Sequence, residues 1–190
     1  MLKKSILYVG LFAVLGSSAA IADFEGDISP REAFERASTE ANVYILDVRS
    51  GQEWKWVGHP GPNGLADSKG KGLSFNSGAK LEGKVVNIAY KVDNGTGGLK
   101  ANLSFNTDVN TQFNTDDTLL VLCKSGVRAL AAAENLGFLN YTTYRIEHGF
   151  QGDKNDNTKA GPDTLYRDVN GWVNSKLPYN EEKEGAYYPE

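Results

Sequence analysis

Hydrophobic positions along this chain fall into short runs divided by polar, glycine-rich stretches. Val43–Val48 (VYILDV) and the apolar run between Thr118 and Cys123 have the pattern of short strands buried on both faces. Thr142–Glu147 (TTYRIE) reads as another strand from its β-branched and aromatic content. Three stretches follow helical rules instead. Ser29 as N-cap, Pro30 at the first helical position and an acidic first turn predict a helix to about Thr39, with Phe34 and Ala37 turned to the core. A short helix is expected around Asn106–Phe113, capped by Asn106 or Thr107. The third, Val127–Leu136 (VRALAAAENL), is rich in Ala and Leu and should end with Gly137 in the C′ position. Asp93–Gly98 (DNGTGG) is a turn cluster. Strands alternating with helices predict a mostly parallel sheet covered on both faces, with ligands bound beyond the carboxyl ends of the strands.

Polar stretches interrupt this pattern twice, at Pro60–Gly83 and Gln151–Asp163, and both read as long surface loops. Asp153 and Asp156 in the second lack the glycine-then-glutamate pattern of a calcium loop. Residues 181–190 are charged and aromatic without apolar period, the signature of a frayed tail. No internal repeat is visible.

The amino terminus follows different rules. Lys3 and Lys4, an apolar stretch from Ile6 to Leu15 and the small-x-small segment Ala20-Ile21-Ala22 make a secretory signal peptide, too short for a membrane span. Cleavage after Ala22 leaves 168 of the 190 residues, one domain over 23–180 with a real core. It removes two lysines and no acid, so the formal charge moves from −4 to −6. Nothing in that balance suggests nucleic acid or an acidic membrane surface as a partner. A periplasmic or secreted location is expected, with no membrane association after cleavage.

That compartment makes the cysteine count informative. Exported proteins spend cysteines in disulfide pairs, yet this chain has a single cysteine, Cys123. A lone thiol there is a reactive group, and any covalent intermediate on it must be resolved by an outside nucleophile. Cysteine-based metal sites are excluded and the two histidines give no ligand spacing, so no cofactor is expected. Cys123 falls between the tip of a buried strand and the start of a helix. Loop N–H groups and the positive helix end favour thiolate over thiol, with Lys124 and Arg128 adding positive charge.

The loop Cys123-Lys124-Ser125-Gly126-Val127-Arg128 resembles the active-site loop of the rhodanese (thiosulfate sulfurtransferase) family, Cys-Arg-x-Gly-x-Arg/Thr, with Lys124 at the commoner Arg position. Other segments resemble the family too. A strand ending in Asp47 and Arg49 is followed by Glu53-Trp54 and Gly58-His59; Lys84–Ile88 supplies a matching strand after the long insert. His148-Gly149-Phe150 resembles the family's Gly-Gly segment near the active site, which leaves two readings of His148, simple loop filling or contact with substrate. Val169–Trp172 and Leu177-Pro178 match the final helix. The departures are the two inserts, the first of which separates His59 from its usual context.

This resemblance implies a rhodanese-like α/β fold with about five strands in a mostly parallel sheet and helices on both faces. It implies Cys123 as the catalytic nucleophile, Lys124 to Arg128 as the substrate-binding loop, and Asp47 and Arg49 as supporting framework. The implied reaction transfers sulfane sulfur from a small sulfur-containing anion such as thiosulfate, through a Cys123 persulfide, to an acceptor thiol or partner protein. Three alternatives remain: a persulfide carrier loaded by a partner enzyme, a non-catalytic rhodanese-like binding module, and a cysteine phosphatase or arsenate reductase. The last is disfavoured because its loop has one more residue between Cys and Arg.

Overall fold

A computed structural model describes residues 23–61, 81–154 and 167–180. The expected signal peptide, most of both polar inserts and the expected tail lie outside the described residues. In chain order the elements are β1 (Phe24–Ile28), α1 (Pro30–Thr39), β2 (Val43–Asp47), α2 (Gly51–Val57), β3 (His59–Pro60), β4 (Val85–Asn87), β5 (Lys91–Asp93) and β6 (Leu99–Ala101). They continue with α3 (Phe105–Gln112), β7 (Thr118–Leu122), α4 (Val127–Gly137), β8 (Thr142–Ile146), β9 (Asp153–Lys154), β10 (Arg167–Val169), α5 (Gly171–Asn174) and β11 (Tyr179–Asn180).

Five of the strands form one sheet in the order β1–β8–β7–β2–β4, and every pairing in it is parallel. The alternation of side chains along β2 and β7 divides the core in two. Leu46, Leu119 and Val121 point to the face covered by α3 and α4, where they meet Val109, Ala129, Ala132, Ala133 and Leu136. Val43, Ile45, Leu120 and Leu122 point to the other face, against Ala33, Phe34 and Ala37 of α1 and Trp172 of α5. The fold is the mixed α/β one expected, with a five-stranded parallel sheet between helices.

Several local features differ from the sequence expectation. β1 and α2 carry no separate prediction, and Asp93–Gly98 is the turn of an antiparallel hairpin formed by β5 and β6. α3 starts at Phe105; its N-cap position, Ser104, makes no side-chain cap bond, and Asn102 Oδ1 accepts the Ser104 N–H at 3.0 Å. Gly137 belongs to α4 and does not take the left-handed conformation of a C′ glycine. The reason for glycine there is contact: a Cβ would lie 2.8 Å from the Phe24 backbone nitrogen, where β1 begins.

Candidate active site

β7 is the middle strand of the sheet, and Cys123 stands immediately beyond its carboxyl end with 1% of its surface exposed. The chain then turns sharply enough to start α4 four residues later. That turn needs a left-handed residue, and Gly126 supplies it with φ 93° and ψ −23°. The conformation swings the Gly126 N–H back onto the cysteine, donating to Sγ at 3.1 Å. As the N-cap of α4, Gly126 offers no side chain, so the first N–H groups of the helix are not satisfied by a cap. Such groups favour negative charge at the sulfur.

A second loop buttresses the first. The Phe150 N–H donates to the Cys123 carbonyl at 2.7 Å, and the Gln151 N–H to the Lys124 carbonyl at 3.0 Å. Gly149 makes this approach possible: its φ is +60°, and a Cβ would sit 2.4 Å from the Cys123 carbonyl oxygen. α5 holds this loop in turn, through the Trp172 N–H to the Gly149 carbonyl at 2.8 Å. The Trp172 ring is buried, with Nε1 donating to the Pro178 carbonyl at 2.7 Å.

Lys124 and Ser125 are half-buried along the loop, while the Val127 side chain is exposed. Arg128 is the residue whose setting the sequence did not disclose. Its Nη1 and Nη2 donate to Glu53 Oε2 and Oε1 at 2.6 and 2.7 Å, a two-pronged pair. Glu53 also completes a capping box at the start of α2: its carboxylate accepts the Ser50 N–H while Ser50 Oγ accepts the Glu53 N–H. Burial alone would push the Glu53 carboxyl up, but the Arg128 hydrogen bonds and charge, with Arg49 and the Ser50 N–H, hold it below its ordinary value. For Arg128 burial works against the charge, and Glu53 outweighs it, aided by the charges of Cys123 and Asp47, so its pKa is raised.

Asp47 and Arg49 lie behind the loop, both fully buried. Arg49 Nε and Nη2 donate to the Asp47 carboxylate at 2.9 and 2.6 Å, and Nη2 also reaches the Gly58 carbonyl at 2.7 Å. The Asp47 carboxylate accepts the Arg49 N–H as well, so its turn-capping and charge-pairing roles coincide. The Arg49 guanidinium stacks on Phe150 at 4.2 Å, and Asn87 of β4 ties to the Asp47 and Arg49 carbonyls. This pair touches the buttress, not the sulfur, which is a framework position.

His59 is buried, stacked on Trp54 with ring centroids 3.8 Å apart, and its Nδ1 lies 3.0 Å from the Pro60 carbonyl. It is a packed structural histidine. His148 is different: its backbone lies beside Gly126, its φ is +61°, and its Nδ1 faces Asp153 Oδ2 at 2.5 Å. Among the described residues no group of three or more His, Cys, Asp or Glu side chains is placed to hold a metal ion.

Sequence reasoning missed two participants. Glu53 enters the sequence reading only in the Glu53-Trp54 segment; neither its capping box with Ser50 nor its pairing with Arg128, 75 positions away, is read there. Arg145 of β8 has no local signal at all. Its side chain passes 4.0 Å from the place a Gly126 Cβ would occupy, and it forks onto the Asp27 carboxylate of β1. The Asp27 hydrogen bond holds the Arg145 pKa above its ordinary value, burial opposes it, and the charges of Asp27, Glu147 and Cys123 add to it.

No protein-family model matches the sequence. The uncharacterized protein RP600 of Rickettsia prowazekii is 25% identical over 158 residues, covering 80% of this chain and 95% of its own. Its homolog in Rickettsia rickettsii matches to the same extent. The crystal structure of Rv0390 from M. tuberculosis superposes with a TM-score of 0.61 at 25% identity, over 84% of this chain and 99% of that one. A rhodanese-related protein from Thermoplasma volcanium gives a TM-score of 0.45 at 17% identity, over 82% and 98% of the two chains. The parallel β1–β8–β7–β2–β4 sheet, with a cysteine loop leading from its middle strand into a helix, is a rhodanese-like fold.

Proposed function

We propose that this chain is an exported sulfurtransferase that moves sulfane sulfur through a persulfide on Cys123. The observation that carries the reading is the Gly126 N–H donating to the Cys123 sulfur at the mouth of a central parallel strand. A thiolate in that position attacks the outer sulfur of a donor, of which thiosulfate is the simplest. The sulfur–sulfur bond of thiosulfate breaks, sulfite leaves with the electron pair, and a Cys123 persulfide forms. An acceptor thiol or other thiophile then removes the outer sulfur and restores the thiolate. Backbone N–H groups at the start of α4 support the anionic sulfur in both states. Written from the thiolate, the cycle asks nothing of His59, which is packed against Trp54.

Intact-mass measurement tests this directly. Mixing reduced protein with a sulfane-sulfur donor should add the mass of one sulfur atom, and cyanide or a small thiol should remove it. Cys123→Ser should fold but show neither the gain nor turnover. Bare protein after exposure to every small donor, with loading only when a partner enzyme is supplied, would replace the enzyme by a carrier. A phosphatase would hydrolyse a phosphate ester and gain no sulfur.

A further inference from the structure

The cations around Cys123 are already matched. Arg128 has both Nη groups on the Glu53 carboxylate, and Arg145 has Nε and Nη2 on Asp27. Arg49, deeper in the framework, is paired with Asp47. The two ring nitrogens of His148 face Asp153 and Glu147. Lys124 is the site cation that no carboxylate among the described residues pairs. Each pair uses two of the five N–H donors of its arginine but neutralises the charge, so to turn the same fork on a small dianion the guanidinium would have to leave its carboxylate. That carboxylate, half-buried at Glu53 and exposed at Asp27, would then stand unpaired beside two further negative charges.

We infer that the donor this site accepts is a persulfide carried on a low-charge thiol, and that small dianions such as thiosulfate are selected against by Glu53 and Asp27. The inference rests on the sulfurtransferase reading and narrows its substrate class. A persulfide bears at most a single charge, and none when its outer sulfur is protonated as R–S–SH, so one unmatched lysine and the N–H groups of the loop can accommodate it. The transfer is balanced without an oxidant. The Cys123 thiolate attacks the outer sulfur of R–S–SH, one sulfur–sulfur bond forms as another breaks, and R–S⁻ leaves with the electron pair while Cys123 carries the S–SH. Glu53 and Asp27 act here as specificity residues through the arginines that they hold.

The test measures how fast Cys123 gains one sulfur, by intact mass, from cysteine persulfide and from thiosulfate. Each rate is normalised to the same donor's reaction with a small free thiol. The persulfide should lead by roughly 10-fold or more, the scale of an unfavourable charge placed in a site. Raising ionic strength from about 0.01 to about 0.15 M shortens the screening length from about 30 to about 8 Å. Thiosulfate loading should then stay flat or rise, because screening relieves repulsion. Asp27→Asn, on an exposed edge strand, should raise the thiosulfate-to-persulfide ratio several-fold by freeing Arg145. Thiosulfate equal to or ahead of the persulfide, loading that falls steeply with salt, or a ratio unmoved by Asp27→Asn overturns the inference while leaving sulfur transfer standing. Loading of Cys123 by neither donor overturns both.

Discussion

Glu53 joins three structures at once: the start of α2, the side chain of Arg128, and through it the first turn of α4. Both members of the pair are largely buried, with side-chain exposures of 21% and 15%, so the hydrogen bonds are shielded enough to matter, at about 1.5–3 kcal/mol. Because the folded state holds the Glu53 carboxyl below its ordinary value of 4.5, its contribution is full above that pH and is lost as the pH falls through the lowered value. Glu53→Gln should therefore lower stability at neutral pH and flatten the acid side of the stability profile, with wild type and variant converging once the pH has fallen through the lowered value. Denaturant unfolding across that range checks the sign. An offset that stays constant down the whole acid limb would mean the carboxylate charge contributes nothing.

Elements with strong local signals were readable in advance. α1 had its Ser29 cap and Pro30, α4 its Ala-rich sequence, and β2 and β7 their apolar runs. β1 was not readable, because FEGDI alternates exposed and half-buried residues and gains its strand character only from β8 beside it. α2 is seven residues long and depends on its capping box and on Trp54 packing into the core. The site divides the same way: the Cys123 loop announces itself locally, whereas the partners of its arginines come from β1 and α2. Gly137 tests the corrected view of the α4–β1 contact. Alanine would gain about 1 kcal/mol of helix propensity if the position were a free helical residue. Its Cβ would instead press on backbone that is 2.8 Å away, which has no flexible side-chain end to yield. Gly137→Ala should therefore lower the melting temperature and speed hydrogen exchange in Phe24–Ile28 before β7. A raised melting temperature would show that β1 moves aside freely.

At the scale of the whole molecule, the parallel sheet sets Cys123 beyond the carboxyl end of its middle strand, where such sheets bind their ligands. No helix among the described residues is long and apolar enough to cross a membrane. The proposal of export rests on Lys3, Lys4, the apolar stretch after them and the Ala20-Ile21-Ala22 segment. Amino-terminal sequencing of the protein from an extracytoplasmic fraction should begin at Asp23, and full-length protein retained with membranes would overturn export. β1 gives this location a kinetic consequence. Among the described residues it is the first strand of the sheet in sequence and it sits at the sheet's edge, paired with β8, with Asp27 and Arg145 118 positions apart. A chain delivered amino end first presents β1 long before its partner exists. β1 therefore cannot take its place in the sheet until β8 has followed it, a pairing of high sequence separation. Until β1 pairs with β8, Arg145 has no Asp27 to hold, so that part of the charge pattern near Cys123 waits on a contact between the two ends of the domain.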